Sequence, residues 1–193
     1  MYGTNSLREW LFKGLSAEHA LDELERTGVG VRAPTDPRAL QRVMPLEEFS
    51  PDLRESGMKA LPAYLAFFCL ENSVRELINE RLSERHGSGW WQHKATRAVQ
   101  DRVKIRQEKE GKNRWHARRG AAEIYYTDFG DLSSLIQNCW TDFEDLFPDV
   151  NWVVTRFAEL EASRNIVAHN NLLDSREMDR IKIYLTDWIR QVG

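Results

Sequence analysis

The chain has 193 residues, 41% hydrophobic and 30% charged, enough apolar material for one real core and length for one domain with an appendage. Its longest apolar run, Leu61 to Leu70, is interrupted by Pro62 and falls far short of the roughly 20 residues that span a bilayer, so no membrane partner is expected. The net charge of −3 hides an asymmetry: from Gln92 to Arg119, ten Lys or Arg face three Asp or Glu, about +7 against about −10 elsewhere.

The first residues show no basic stretch followed by an apolar one, so no signal peptide is expected. Cys69 and Cys139 stand alone without CxxC spacing, which predicts a reduced, cytoplasmic setting with both thiols buried in helices. Asn5 or Ser6 is positioned to cap a short helix to about Gly14. Ser16 caps another from Ala17 to Arg26, closed by Gly28 and Gly30. Residues 31 to 54 hold Pro34, Pro37, Pro45 and Pro51 and read as a linker. Residues 1–54 are therefore expected as a small helical extension and 55–193 as the main helical domain.

A long helix is predicted from about Leu61 to Arg85, broken by Gly87 and Gly89. On its stripe Tyr64, Phe68, Glu71, Arg75, Ile78, Leu82, two charges interrupt apolar positions. Glu71 and Arg75 are four apart in the order that favours an ion pair. The basic segment is predicted helical from about Ala95 to Glu110, with a loop from Gly111 to Gly120. Carrying Trp90, Trp91, His93, Trp115 and His116 within or beside it, the segment suits a phosphate backbone and exposed bases. The candidate RNA contacts are Lys94, Arg97, Arg102, Lys104, Arg106, Lys112, Arg114, Trp115, Arg118 and Arg119. A solvated helix face followed by a loop is the alternative reading. Ile124 to Tyr126 is the one short run suited to extended structure. A helix from about Asp131 to Phe147 follows, ended by Pro148. Asn151 is the expected cap of the next helix. Asp174 and Glu177 form a capping box for a last amphipathic helix with Met178, Ile181, Leu185 and Trp188 facing inward.

Two Arg-x4-His spacings occur, and with twenty arginines and five histidines chance alone gives roughly one or two. Arg81 to His86 lies at a helix end before Gly87, where helix capping and solvent exposure account for basic side chains. Arg164 to His169 is different. Val153, Phe157, Leu160, Arg164 and Val167 share one stripe, so periodicity assigns Arg164 to the interior, where a guanidinium needs carboxylate, carbonyl or phosphate partners. Asn165 and His169, four apart, share the neighbouring face. A fixed cation, an amide and a proton shuttle thus fall within six residues, a set able to cut RNA without a metal. The alternative is a structural arginine and a surface histidine closing a helix. The histidines lack H-x3-H or HExxH spacing, and no Gly-rich phosphate loop or GxSxG elbow is present, so no metal or other cofactor is expected.

Leu70 to Ile78 (LENSVRELI), Trp90-Trp91, Asp128 to Leu132 (DFGDL), Trp140 and Arg164 to His169 (RNIVAH) occur in an order that resembles the HEPN superfamily. More narrowly, about Ala60 to Gln191 is similar to the HEPN domain found beside the PIN-type nuclease of mRNA surveillance and in prokaryotic defence proteins. The resemblance implies an all-α, antiparallel HEPN-like helical bundle. It also implies a homodimer whose two motifs share a cleft, and a metal-independent endoribonuclease of toxin or phage-defence type with RNA as substrate. An antitoxin or sensor protein is a further partner it brings to mind. By the same resemblance Arg164, Asn165 and His169 are catalytic. Glu71, Arg75 and Asp131 are the expected supporting residues. A non-catalytic HEPN module that binds RNA or protein is the competing expectation, since fold alone does not decide activity; in it Arg164 and Asn165 form an ion-pair network with Glu71 or Asp131 and His169 is incidental. A role for residues 1–54 in recognising a phage component is a third.

Overall fold

Pro51 opens the first long helix, α1 (Pro51–His86), as a first-turn proline does, with φ preset and no N–H to leave unpaired. The computed structural model describes residues 19–21, 23–24, 44–113 and 115–192. The chain divides into two compact units, Met1–Met58 and Lys59–Gly193. In the first, residues 19–21 and 23–24 are helical and a 3-10 turn covers Leu46–Glu48. The expected helix over 5–14 and most of the proline-rich stretch, 31–43, lie outside the described residues.

α1 starts ten residues before the expected Leu61, because Pro62 does not break it: the helix runs straight through that exposed position. Its buried stripe is Ala63, Phe67, Leu70, Val74, Ile78 and Leu82. The expected stripe through Tyr64 and Phe68 is therefore displaced by one residue at its start, and both rings are exposed. Gly87, at φ +79, ends the helix where a side chain would be strained. The short α2 (Trp90–Lys94) then puts both tryptophans in the core, and Trp90 Nε1 donates to Asn79 Oδ1 at 3.2 Å.

α3 (Arg97–Gly111) is capped by Thr96, which accepts the Val99 N–H, and buries only Val99 and Val103. It packs on a 3-10 turn, Glu123–Tyr126, that replaces the extended run expected there. α4 (Phe129–Asn138) begins two residues early, with the Asp131 carboxylate accepting the Asp128 N–H. It also ends nine residues before the expected Phe147. The backbone leaves helical geometry at Cys139 (φ −107, ψ 30), whose N–H makes the last helical bond, to Leu135 O at 3.0 Å. Beyond Cys139 a 3-10 turn, Trp140–Asp142, folds the chain so that Phe143 and Phe147 are buried without a continuous helix.

α5 (Val150–Ala168) is capped by Asp149, whose side chain accepts the Trp152 N–H at 2.9 Å, and not by Asn151. α6 (Ser175–Val192) carries the reciprocal Asp174 and Glu177 capping bonds. Ile181 and Trp188 are buried, with Met178 and Leu185 packed against the core. Trp188 lies 5.6 Å from Phe147 and 6.0 Å from Phe157, centroid to centroid, and donates to Ser73 Oγ at 2.9 Å, which ties α6 to α1. The result is an all-α helical bundle in which α4 packs on α5 and α5 on α6, with no strand among the described residues. No described helix is long and apolar enough to cross a membrane. Cys139 is buried and burial pushes its thiol pKa up, whereas Cys69 is exposed on α1, against expectation.

Candidate active-site groove

Glu71 and Arg75 form the expected (i, i+4) pair on α1, and both side chains are nearly buried. Arg75 Nη1 also donates to Asn72 Oδ1, and Nη2 to Thr127 O, each at 3.1 Å. The other Glu71 oxygen lies 3.5 Å from Arg164 Nε on α5. One carboxylate is thus shared by a fixed guanidinium and a second, looser one. The interior place that periodicity assigned to Arg164 is taken by its neighbour: the buried face of α5 is Val153, Phe157, Leu160 and Ser163. The Arg164 side chain remains 34% exposed. It opens into a groove of about 330 Å³ lined by α1 residues from Tyr64 to Arg75, by Val167 and Ala168 of α5, and by Arg119 and Tyr125.

The end of α5 is closed by backbone geometry. Asn170 takes φ 60, and the N–H groups of Asn170 and Asn171 donate to Val167 O (3.0 Å) and Ile166 O (3.1 Å). This is a Schellman motif with Asn in the left-handed position that glycine usually fills. His169 is the capping residue, its N–H bonded to Asn165 O at 3.1 Å. Asn165 and His169 are both exposed. His169 follows directly on Ala168, the last groove-lining residue of α5, without itself lining the groove.

Residues 65–193 match the family description Swt1-like HEPN. The chain belongs to the Swt1-like HEPN family. No curated protein and no solved structure matches it. Membership associates this HEPN domain with ribonuclease or RNA-related function as a class.

Elsewhere in the HEPN domain, the expected supporting residues separate. Glu71 meets Arg164, and Arg75 shares that carboxylate and lines the same groove, but Asp131 is elsewhere. Asp131 is buried beneath α3, where it accepts from Arg102 Nε and Arg106 Nη1, both at 2.7 Å. Burial alone would raise its pKa, yet the bonds from Arg106, the Asp128 N–H and Arg102 together hold the carboxyl below its ordinary value. Arg106 also pairs with Asp128.

The basic segment is consequently less free than its composition implies. Lys94 pairs with Asp142, Arg97 with Asp101, and Arg119 with Glu110. Lys104, Lys112 and Arg118 are exposed and have no carboxylate at ion-pair distance among the described residues. Trp115 is 82% exposed and stacks on His116 with ring centroids 3.8 Å apart. Arg114 lies outside the described residues.

The other Arg-x4-His spacing has a fuller role than capping and exposure. Arg81 Nε donates to Asp142 O at 2.6 Å and the guanidinium pairs with Asp145. His86 Nε2 lies 2.9 Å from Asp142 Oδ1. These contacts fasten the end of α1 to the turn after α4. Asp142 is buried, which would raise its pKa, but His86 and Lys94 bring it below the ordinary value. The groove residues missing from the sequence reading are Tyr64 and Phe68 as exposed walls, Arg119 as a groove residue, Asn72 and Tyr125. Their one sequence signal was an aromatic pair at (i, i+4) leading directly into Glu71.

Proposed function

We propose that this HEPN domain is a metal-independent endoribonuclease that acts as a homodimer, of the toxin or phage-defence type. The observation that carries the reading is Arg164: a guanidinium with one loose ion-pair contact, open to a groove and five residues before an exposed histidine. An arginine serving only the fold would be held from several sides, as Arg75 is.

In this reaction the ribose 2′-hydroxyl attacks the adjacent 3′-phosphorus in line, and the bond from phosphorus to the 5′-oxygen breaks. One His169 takes the 2′-proton, and His169 of the second copy delivers a proton to the departing 5′-oxygen. Arg164 holds the phosphate and stabilises charge on its non-bridging oxygens. Asn165 orients the histidine or the phosphate. The products are a 2′,3′-cyclic phosphate, or the 3′-phosphate from its hydrolysis, and a 5′-hydroxyl. DNA, without the 2′-hydroxyl, is not cut.

The test is incubation of total RNA and tRNA in EDTA with the wild-type protein and its His169→Ala variant, followed by analysis of product ends. Cleavage by the wild type alone, leaving cyclic phosphates, is the expected result. Cut DNA, or equal behaviour of the two proteins, would overturn the scheme. The ion pair between Glu71 and Arg164 favours one competing reading, a non-catalytic module in which Arg164 is part of the scaffold.

A further inference from the structure

Two aromatic rings on α1 stand in solvent where the helix had core positions one residue away. Tyr64 and Phe68 are 61% and 56% exposed, with centroids 6.4 Å apart and planes inclined at 28°. They lie within two turns before Glu71, so the aromatic lining of the groove runs directly into its charged lining. Tyr125, 39% exposed, adds a further ring. Of the charged groups lining the groove, three are the guanidiniums of Arg75, Arg119 and Arg164 and one is the carboxylate of Glu71. Glu110, outside the groove, pairs with Arg119, and Arg75 and Arg164 share Glu71, which leaves the lining with one guanidinium in excess and Arg164 only loosely paired. Flat π faces beside an excess of guanidinium complement a nucleotide, which offers a ring to stack and a phosphate to pair. The volume, about 330 Å³, suits one small group and not a helix of a folded partner.

We infer that the groove seats a single unstacked nucleotide of an RNA strand, its base on Phe68 and Tyr64 and its phosphate on Arg164 and Arg119. The inference rests on the ribonuclease reading for the choice of RNA as the strand. The seat requires an unpaired base, because a base inside a duplex has no free face to offer. Phe68 and Tyr64 are then specificity-determining residues that recognise an unpaired base, while the chemistry belongs to Arg164 and His169.

The test uses full-length His169→Ala protein, so that bound RNA is not consumed. Affinity for a fluorescent single-stranded oligoribonucleotide is measured by anisotropy, alongside the same sequence as a duplex and a nucleoside monophosphate as competitor. Adding Phe68→Ala or Tyr64→Ala is expected to weaken strand binding roughly 5- to 150-fold, and Phe68→Trp to retain it. The duplex is expected to bind more weakly than the strand. Both rings are largely exposed, so truncation leaves the core intact, and thermal melting of each variant checks this. Unchanged strand affinity in Phe68→Ala overturns the inference. So does equal affinity for duplex and strand, tight binding of the monophosphate without the strand, or a Phe68→Ala defect confined to self-association, which would assign the rings to a second copy. A protein that binds the strand through Phe68 yet never cuts RNA retains this inference and overturns the ribonuclease reading. One that cuts RNA while Phe68→Ala leaves strand affinity unchanged does the reverse.

Discussion

Glu71 is the residue on which the two readings of Arg164 separate. Its carboxylate is nearly buried and held from within α1 by Arg75, with Arg164 at 3.5 Å from the other oxygen. Removing Arg164 leaves Glu71 with its main partner, so Arg164→Ala is expected to lower unfolding free energy by about 1 kcal/mol or less. On the ribonuclease reading the same change abolishes nearly all cleavage. Glu71→Ala instead leaves the nearly buried Arg75 guanidinium without a counter-charge and is expected to cost about 3 kcal/mol. Urea unfolding of the two variants checks the contrast, and a loss in Arg164→Ala as large as that in Glu71→Ala would favour the scaffold reading. Asn170 offers a second residue-level prediction. A β-branched side chain at φ 60 is strained, so Asn170→Val should cost about 1–2 kcal/mol, whereas Asn170→Gly should be neutral within a few tenths. Because this position sets the turn at His169, on the ribonuclease reading cleavage should fall with Asn170→Val and persist with Asn170→Gly.

At the scale of elements, α3 buries only Val99 and Val103, and ion pairs to Asp131 and Asp128 hold it as well. Asp131 accepts from both Arg102 and Arg106; Arg106 keeps Asp128 and Arg102 is half exposed, so Asp131→Asn should cost about 1–3 kcal/mol near neutral pH. The pH dependence has a definite sign. The folded pKa of Asp131 lies below its unfolded value of about 3.9, so this stabilisation is fully present above that value and is lost as pH falls through the folded pKa. The gap in melting temperature between wild type and Asp131→Asn should therefore be wide at pH 7 and narrow below about pH 4. A gap independent of pH would refute the linkage.

The helix pattern itself was largely legible. Helical spacing located α3, α5 and α6, and the capping box at Asp174 placed the start of α6. What misled was a signal that two structures share. Pro62 reads as a start whether the helix begins there or passes through it, and the apolar positions after Asn138 recur alike in a helix and in a 3-10 turn with the loop after it, which buries Phe143 and Phe147. For the groove, pairing of Glu71 with Arg75 could be read from spacing, because both lie on one helix. For Arg164 the sequence offered Glu71 or Asp131 as partner, and packing selects Glu71; the capture of Arg102 and Arg106 by Asp131 joins residues far apart in sequence and follows only from packing.

For the whole molecule, the ribonuclease scheme demands two copies, because one His169 accepts a proton while the other donates one. This is testable without a structure of the assembly. If both histidines of a dimer are required, activity depends on the probability that two wild-type subunits meet. After subunit exchange, a mixture of wild type with an equal amount of His169→Ala protein should then retain about a quarter of the activity of the same total amount of wild type. If each subunit cuts alone, it should retain about half. Mixing ratios across the whole range distinguish a squared from a linear dependence. The His169→Ala subunit is suited to this role because the side chain it loses is exposed at a helix end, so dimer formation and the groove itself should persist. Donor- and acceptor-labelled subunits, followed by energy transfer, verify that exchange has occurred. A squared dependence is expected, and a linear one would move the chemistry within a single copy, where His169 would need a second proton carrier from the same chain.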